Sequence, residues 1–240
     1  MIKTNVKERP IPFSDASILT IQEGRKVMTR RVIKGHLPWL TDPVQFYATD
    51  PDNRDGLASP AVHYEDGRWW WYEEEYPEEG GIKFRCPYGV AGDRLWVKET
   101  WRAAWAHVPG SLSGPGVRYR ADNAVLGRIE SPCSGVEEKR WRHWLFMPRW
   151  ASRIVLEITE VKAQRLQDIT TGGVMRLSDV EKEGCPTEFC SSLEGDPMGS
   201  QEAAWFIKHW DSLNKKRGFG WDANPWVWSI EFKQVTQNSQ

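Results

Sequence analysis

Hydrophobic positions fall into short alternating runs divided by long polar stretches, the signature of half-buried strands with few helices between them. The clearest run is Arg153–Val161 (RIVLEITEV), where Ile154, Leu156 and Ile158 alternate with Val155, Glu157 and Thr159. Met28–Ile33, Arg94–Lys98 and Trp226–Lys233 alternate in the same way, and Arg68–Tyr72 (RWWWY) places Trp69 and Trp71 opposite Trp70 and Tyr72, so each is predicted to be a strand. Helical spacing appears in three places. Ser14 can cap a helix from about Asp15 to Glu23, with Ile18, Leu19 and Ile21 as its apolar side and Gly24 as its stop. Leu177–Glu183 and Glu202–Asn214 also read as helices, the latter with Ala203, Phe206, Ile207, Trp210 and Leu213 on one stripe.

Between these elements lie two excursions, rich in Pro, Gly and Asp or Ser. Residues 35–85 are expected to form loops and a short hairpin. The second, about 103–145, holds only the strand candidate GVRYRAD. The tail Gln234–Gln240 is expected to fray. Strands scattered among short helices, with no β-α-β alternation, predict an α+β fold: a small mixed barrel with peripheral helices and two long insertions, in one domain over residues 1–240.

Composition narrows the picture. The chain has 240 residues, 40% hydrophobic and 27% charged, enough to bury a core. No apolar run approaches the ~18 residues of a membrane span, and the N-terminus lacks the apolar stretch of a secretory signal. The expected compartment is therefore the cytoplasm. Four scattered cysteines without a C-x-x-C, and histidines without H-x-x-x-H or H-E-x-x-H spacing, predict reduced thiols and neither a metal site nor a cofactor. A zinc site using Cys185 and Cys190 and a nucleophilic Cys86 are the weaker alternatives.

Charge is balanced overall, at −1, but not locally. Arg25–Lys34 carries five cations and no acid, and Lys139–Arg153 carries five more, interleaved with Trp141, Trp144 and Trp150. Cations beside rings suit phosphates and stacked bases; the plainer reading is solvated cations over a tryptophan-rich core. Glu65–Glu79 reverses the sign with seven acids, a segment that repels nucleic acid and can mimic it.

The motifs then form an ordered series. Gly24-Arg25-Lys26-Val27-Met28-Thr29-Arg30-Arg31 fits G-R-K-x-x-T-x-R, Gly92–Val97 fits G-D-x-L-x-V, and Trp228–Lys233 fits W-x-I-E-F. With PIPFS near the start, CPYGVAGDRLWVKETW and FMPRWASRIVLEITEVKAQRLQDIT, this series resembles the ASCH domain, a PUA-like β-barrel, in the branch carried by bacteriophages and prophages. The resemblance covers roughly residues 10–34, 86–102, 146–184 and 205–233, and excludes both insertions. It implies a link to RNA or modified nucleosides in a bacterial host cell. One subgroup of that family removes the acetyl group from acetylated cytidine, and another member is a ribonuclease. The subgroup's Lys and Thr match Lys26 and Thr29, and its Glu matches Glu183, with Glu181 as the rival. Val27 departs from the subgroup, which has a hydroxyl residue there.

The chemistry stands without the family. Thr29 is a weak nucleophile that needs a base, and Arg25, Arg30 and Arg31 disfavour a further charge on Lys26. A Lys26 pressed toward neutrality can take the Thr29 proton and return it to a leaving amine, while Arg31 holds a phosphate or an oxyanion and Glu183 orients Lys26 or protonates a leaving group. The same residues also read as a plain salt bridge beside a strand threonine. Arg25, Arg30, Arg31, Arg94, Trp96 and Arg149 are the candidate nucleic-acid contacts. Three functions stay open: a nucleoside or single-strand binding module, with RNA favoured; an amidohydrolase or nuclease built on it; or a phage protein whose insertions bind a host protein.

Overall fold

The computed structural model describes residues 6–34, 62–65, 68–71, 82–106, 114–127, 138–171, 174–175, 177–186, 188 and 200–235. In chain order the elements are β1 (Glu8–Pro12), α1 (Asp15–Gln22), β2 (Met28–Val32), β3 (Val62–Glu65), β4 (Arg68–Trp71), β5 (Ile82–Phe84), β6 (Arg94–Lys98), β7 (Trp101–Ala106), β8 (Gly114–Tyr119) and β9 (Val125–Gly127). They continue with β10 (Val155–Arg165), β11 (Thr170–Thr171), β12 (Val174–Met175), α2 (Leu177–Lys182), α3 (Ser200–Asn214) and β13 (Trp226–Val235).

The central sheet has the order β1-β6-β10-β13-β2, with β1 parallel to β6 and every other pair antiparallel. Its first strand carries Pro10 and Pro12, which cannot donate to a ladder and so fit only an edge. Among the described residues no ladder joins β1 to β2. The fold is α+β as expected, but the sheet is open rather than a closed barrel. A side chain links the two edges instead: Arg31 Nη2 of β2 donates to the Pro12 carbonyl of β1 at 2.7 Å.

Both faces of this sheet are covered. On one, α1 sets Ile18 and Ile21 against Leu95, Leu156, Ile230 and Phe232. On the other, Phe206 and Trp210 of α3 pack with Val180, Leu166 and Val227. Successive residues of β13 thus feed different cores, which explains why Trp226–Ile230 is buried without interruption. Truncating Leu156 or Ile230, both fully buried, to Ala is expected to cost roughly 2–5 kcal/mol.

Local signals set α1 as the sequence suggested. The Ser14 hydroxyl accepts from the Ser17 N–H at 3.3 Å, and Gly24 follows the last turn at φ +74°. Two apolar assignments were wrong. Leu19 points outward, since it lies about 100° around the helix from Ile18, and Leu213 of α3 is half exposed. The closing strand also runs further than predicted: Gln234 and Val235 pair with Leu156 and Val155, so only 236–240 of the expected frayed tail lie outside the described residues.

The described part of the second excursion forms a sheet of its own. β7, β8 and β9 form an antiparallel sheet that starts at Trp101 and closes over Trp101, Val117, Tyr119, Met147 and Ala151. Its first strand, WRAAWA, lacks β-branched residues and so gave no strand signal. Arg153 anchors this sheet to the central one. Its guanidinium meets Glu99 twice, at 2.9 and 2.8 Å, and Asp122 at 2.6 Å, and lies 4.0 Å from the Tyr119 ring centre. In the first excursion β3, β4 and β5 make a three-stranded sheet, one strand more than a hairpin. Tyr72, most of the acidic Glu65–Glu79 segment, Cys133 and Cys190 lie outside the described residues. No described helix is long and apolar enough to cross a membrane.

Candidate functional site

A cleft of about 810 Å³ opens where the end of β1, the start of α1, strand β2 and the last turns of α3 meet the loop before the Trp144–Phe146 turn. Lys26, Thr29 and Glu183 all line it, joined by Arg30 and Arg31. The first and last thirds of the chain therefore do meet at one hollow, on the edge strand of the sheet.

The local chain path explains the meeting. Residues 25 and 26 both donate to the Thr20 carbonyl, and Val27 N–H donates to the Lys182 carbonyl at 2.9 Å, so the segment between α1 and β2 lies against the end of α2. Glu183 leaves the helix at once, forming a bridge with Lys26. Gly184 follows at φ +88°, where a Cβ would lie 3.1 Å from both Lys26 Cβ and Thr20 Oγ1. Only glycine suits that close approach. Glu181, the rival acid, is exposed; Glu183 is the one in the cleft.

Glu183 is shared by two cations. Lys26 Nζ donates to its Oε2 at 2.7 Å and to its backbone carbonyl at 2.7 Å, and Arg30 Nη1 donates to Oε1 at 3.1 Å. Arg30 also reaches Asp179 at 2.8 Å. All three central side chains are buried. Burial opposes the charge on Glu183, but Lys26 and Arg30 outweigh it and hold the carboxyl below its usual range. For Lys26 the balance is reversed. Burial lowers its pKa, half of one carboxylate compensates it incompletely, and Arg31 and Arg30 push the same way. The cluster thus fixes the carboxylate and loosens the lysine proton.

Arg31 points into the cleft beside this cluster, with Phe13 4.9 Å from its Cζ. Phe13, Tyr88, Trp141, Trp144, Phe206 and Trp210 supply aromatic wall. Cations outnumber acids in the lining: Lys26, Arg30, Arg31, Lys34, Arg120 and Arg217 face only Asp15 and Glu183. Such a hollow suits a flat, anionic or electron-rich ligand.

The remaining sequence candidates lie elsewhere. Arg25 pairs with Glu23 and donates to the Gly184 carbonyl at 3.4 Å behind the cleft. Arg149 pairs with Glu8 at 2.8 Å. Arg94 and Trp96 lie on the partly exposed face of β6, where Lys98 Nζ lies 5.5 Å from the Trp96 ring centre. None of these four lines the cleft. Cys86 is buried, and burial pushes its thiol up to about 11, which removes it as a nucleophile at neutral pH. Among the described residues no cluster of His, Cys, Asp and Glu is arranged to hold a metal.

The sequence missed two site residues. Asp179 fixes the far side of Arg30. His209 lines the cleft from α3, stacked on Trp205 with ring centres 5.2 Å apart, and burial together with Lys26 keeps its imidazole below its ordinary value. The only signal was the Trp205–His209 i,i+4 spacing, which says nothing about what lies opposite. Compared with family models, curated proteins and solved structures, the chain matches none of them.

Proposed function

We propose that the chain is an ASCH-type, PUA-like module that binds a nucleoside or a base of single-stranded nucleic acid in this cleft. The observation that carries the reading is the coincidence, in one hollow, of a cation excess with rings at its walls. Stacking on a ring is worth roughly 1–3 kcal/mol per base and tolerates any base, which gives an aromatic cleft its affinity. Trp141, Trp144 and Trp210 line the cleft, so fluorescence reports occupancy. Titration with cytidine, single-stranded RNA and single-stranded DNA is expected to quench that fluorescence, and the strands are expected to lose affinity steeply as salt rises. A flat response to all three rejects the reading and favours a protein partner for the insertions.

A hydrolytic activity is favoured by a separate observation: a lysine with a weakened hold on its proton shares the cleft with Thr29. The amine form of Lys26 accepts the proton of Thr29 as Oγ1 attacks the acyl carbon of an N-acylated base. The same proton passes to the nitrogen as the C–N bond breaks, and water then releases the acyl group from Thr29 as a carboxylic acid. Glu183 acts on the lysine as a positioning residue. A panel of acylated cytidines, followed by mass, tests this. Loss of the acyl mass with wild-type protein and none with Thr29→Val supports the activity; no loss with either leaves a binding module.

A further inference from the structure

Among the described residues, Arg31 is the one arginine of the cleft that is partly buried yet forms no ion pair with a carboxylate. Its guanidinium offers five N–H donors, and one bond is formed among the described residues, Nη2 to the Pro12 carbonyl at 2.7 Å. Its Nε is buried without a partner. The Nε of Arg30 is likewise unpartnered, but its terminal nitrogens are held by Asp179 and Glu183; Arg120 is held by Asp15 at 2.6 Å, and Arg217 is exposed. Phe13 lies 4.9 Å from Cζ and limits how far the group can turn. A buried donor set left open is costly in the empty protein, and such a cost is recovered when an anion enters.

We infer that Arg31 is the receptor for a phosphate ester, so that the ligand of this cleft is a nucleotide or a strand rather than a free nucleoside. This rests on the base-binding reading above and goes on to name the ligand class. Phosphate is favoured over a carboxylate because Lys34 and Arg217, exposed on the same cleft and without ion pairs among the described residues, add two further cations where a carboxylate needs only one. The placement also fits. Thr29 and Arg31 are alternate residues of β2, on one face and about 7 Å apart along the strand, the span of a pentose between a base and its phosphate. The planar fork of Arg31 accepts two phosphate oxygens together, which a lysine cannot do.

The test compares cytidine, cytidine 5′-monophosphate, an oligocytidine trimer without terminal phosphates, and inorganic phosphate on wild type, Arg31→Gln and Arg31→Lys. The monophosphate is expected to bind wild type at least tenfold more tightly than cytidine. In Arg31→Gln that ratio is expected to fall to about one, and because it is a ratio, any change in cytidine affinity itself cancels. Arg31→Lys, which keeps the charge but loses the fork, is expected to fall between. Trimer binding that falls with the monophosphate extends the site to phosphodiesters; a trimer unaffected by Arg31→Gln confines it to the monoester. Equal binding of cytidine and its monophosphate to wild type, or a ratio that survives in Arg31→Gln, overturns the inference. If neither nucleoside nor nucleotide binds, the base-binding reading fails alone where inorganic phosphate still raises the Tm of wild type but not of Arg31→Gln. Both fail where phosphate has no effect. Because Arg31→Gln also loses the bond to the Pro12 carbonyl, binding is compared well below the Tm of every variant, with Arg31→Lys as the second variant that keeps the charge.

Discussion

Two buried ion clusters in this protein are built as inverses. At the cleft, one carboxylate, Glu183, lies between two cations, Lys26 and Arg30. At the junction of the sheets, one cation, Arg153, lies between two carboxylates, Glu99 and Asp122. In each, the shared central group is held charged. Burial acts against Arg153, but its two carboxylates raise its pKa, as the two cations lower that of Glu183. In each, one buried flanking group is left short of compensation and moves toward neutrality: Lys26 down, and Glu99 up, in both cases chiefly through burial. The lesson lies in where each uncompensated group sits. Glu99 is fully enclosed against Arg153. Lys26 borders an open cleft, which is where the proposed hydrolysis needs a lysine with a loosened proton.

The largest way to break this comparison is Arg153→Met. It strands Glu99 in the interior and is expected to cost roughly 3–5 kcal/mol in denaturant unfolding, with Glu99→Gln in the same chain restoring part of the loss. Next is Lys26→Met. Arg30 still compensates Glu183 there, so the expected stability loss is only about 1–3 kcal/mol, while the proposed acyl hydrolysis is expected to be lost. A pH series sharpens the contrast. The Glu183 pKa is depressed below its ordinary 4.5, so its contribution is full above that pH and is lost as pH falls through the folded value. The Glu99 pKa is raised above 4.5, so its contribution is full below that pH and is lost as pH rises through the folded value. Unfolding measured from pH 3 to 8 is therefore expected to show Glu183→Gln growing more harmful with rising pH and Glu99→Gln growing less so. The smallest effect belongs to Arg149→Gln. Its pair with Glu8 is exposed and away from the cleft, so stability is expected to change by about 0–1 kcal/mol and ligand titrations not at all.

The contrast also marks what the sequence made legible. Arg153–Val161 and Trp226–Lys233 announced themselves by alternation, though the first strand runs over Val155–Arg165, and the G-R-K-x-x-T run placed Lys26 and Thr29 in one short turn-to-strand segment. Glu183 came only from the family resemblance, and the φ of Gly184 now supplies a physical reason for the glycine that follows it. Long-range partners were not legible. Glu99 and Arg153 are 54 positions apart, and nothing in their spacing predicts a bidentate pair. The prolines of β1 hid a strand because local propensity cannot distinguish an edge from a break. Arg94, Trp96 and Arg149 shared the composition of a binding surface without facing the cleft, because charge patterning in sequence carries no direction.

The account turns on Lys26, and its protonation can be read without any substrate. The Nζ and Cε resonances of Lys26, assigned by comparison with Lys26→Arg, can be followed by NMR as pH is raised. The account predicts titration below the ordinary 10.5, and a further fall in Glu183→Gln, where the one compensating anion is gone. A midpoint at or above 10.5, or one that Glu183→Gln leaves unchanged, would contradict it.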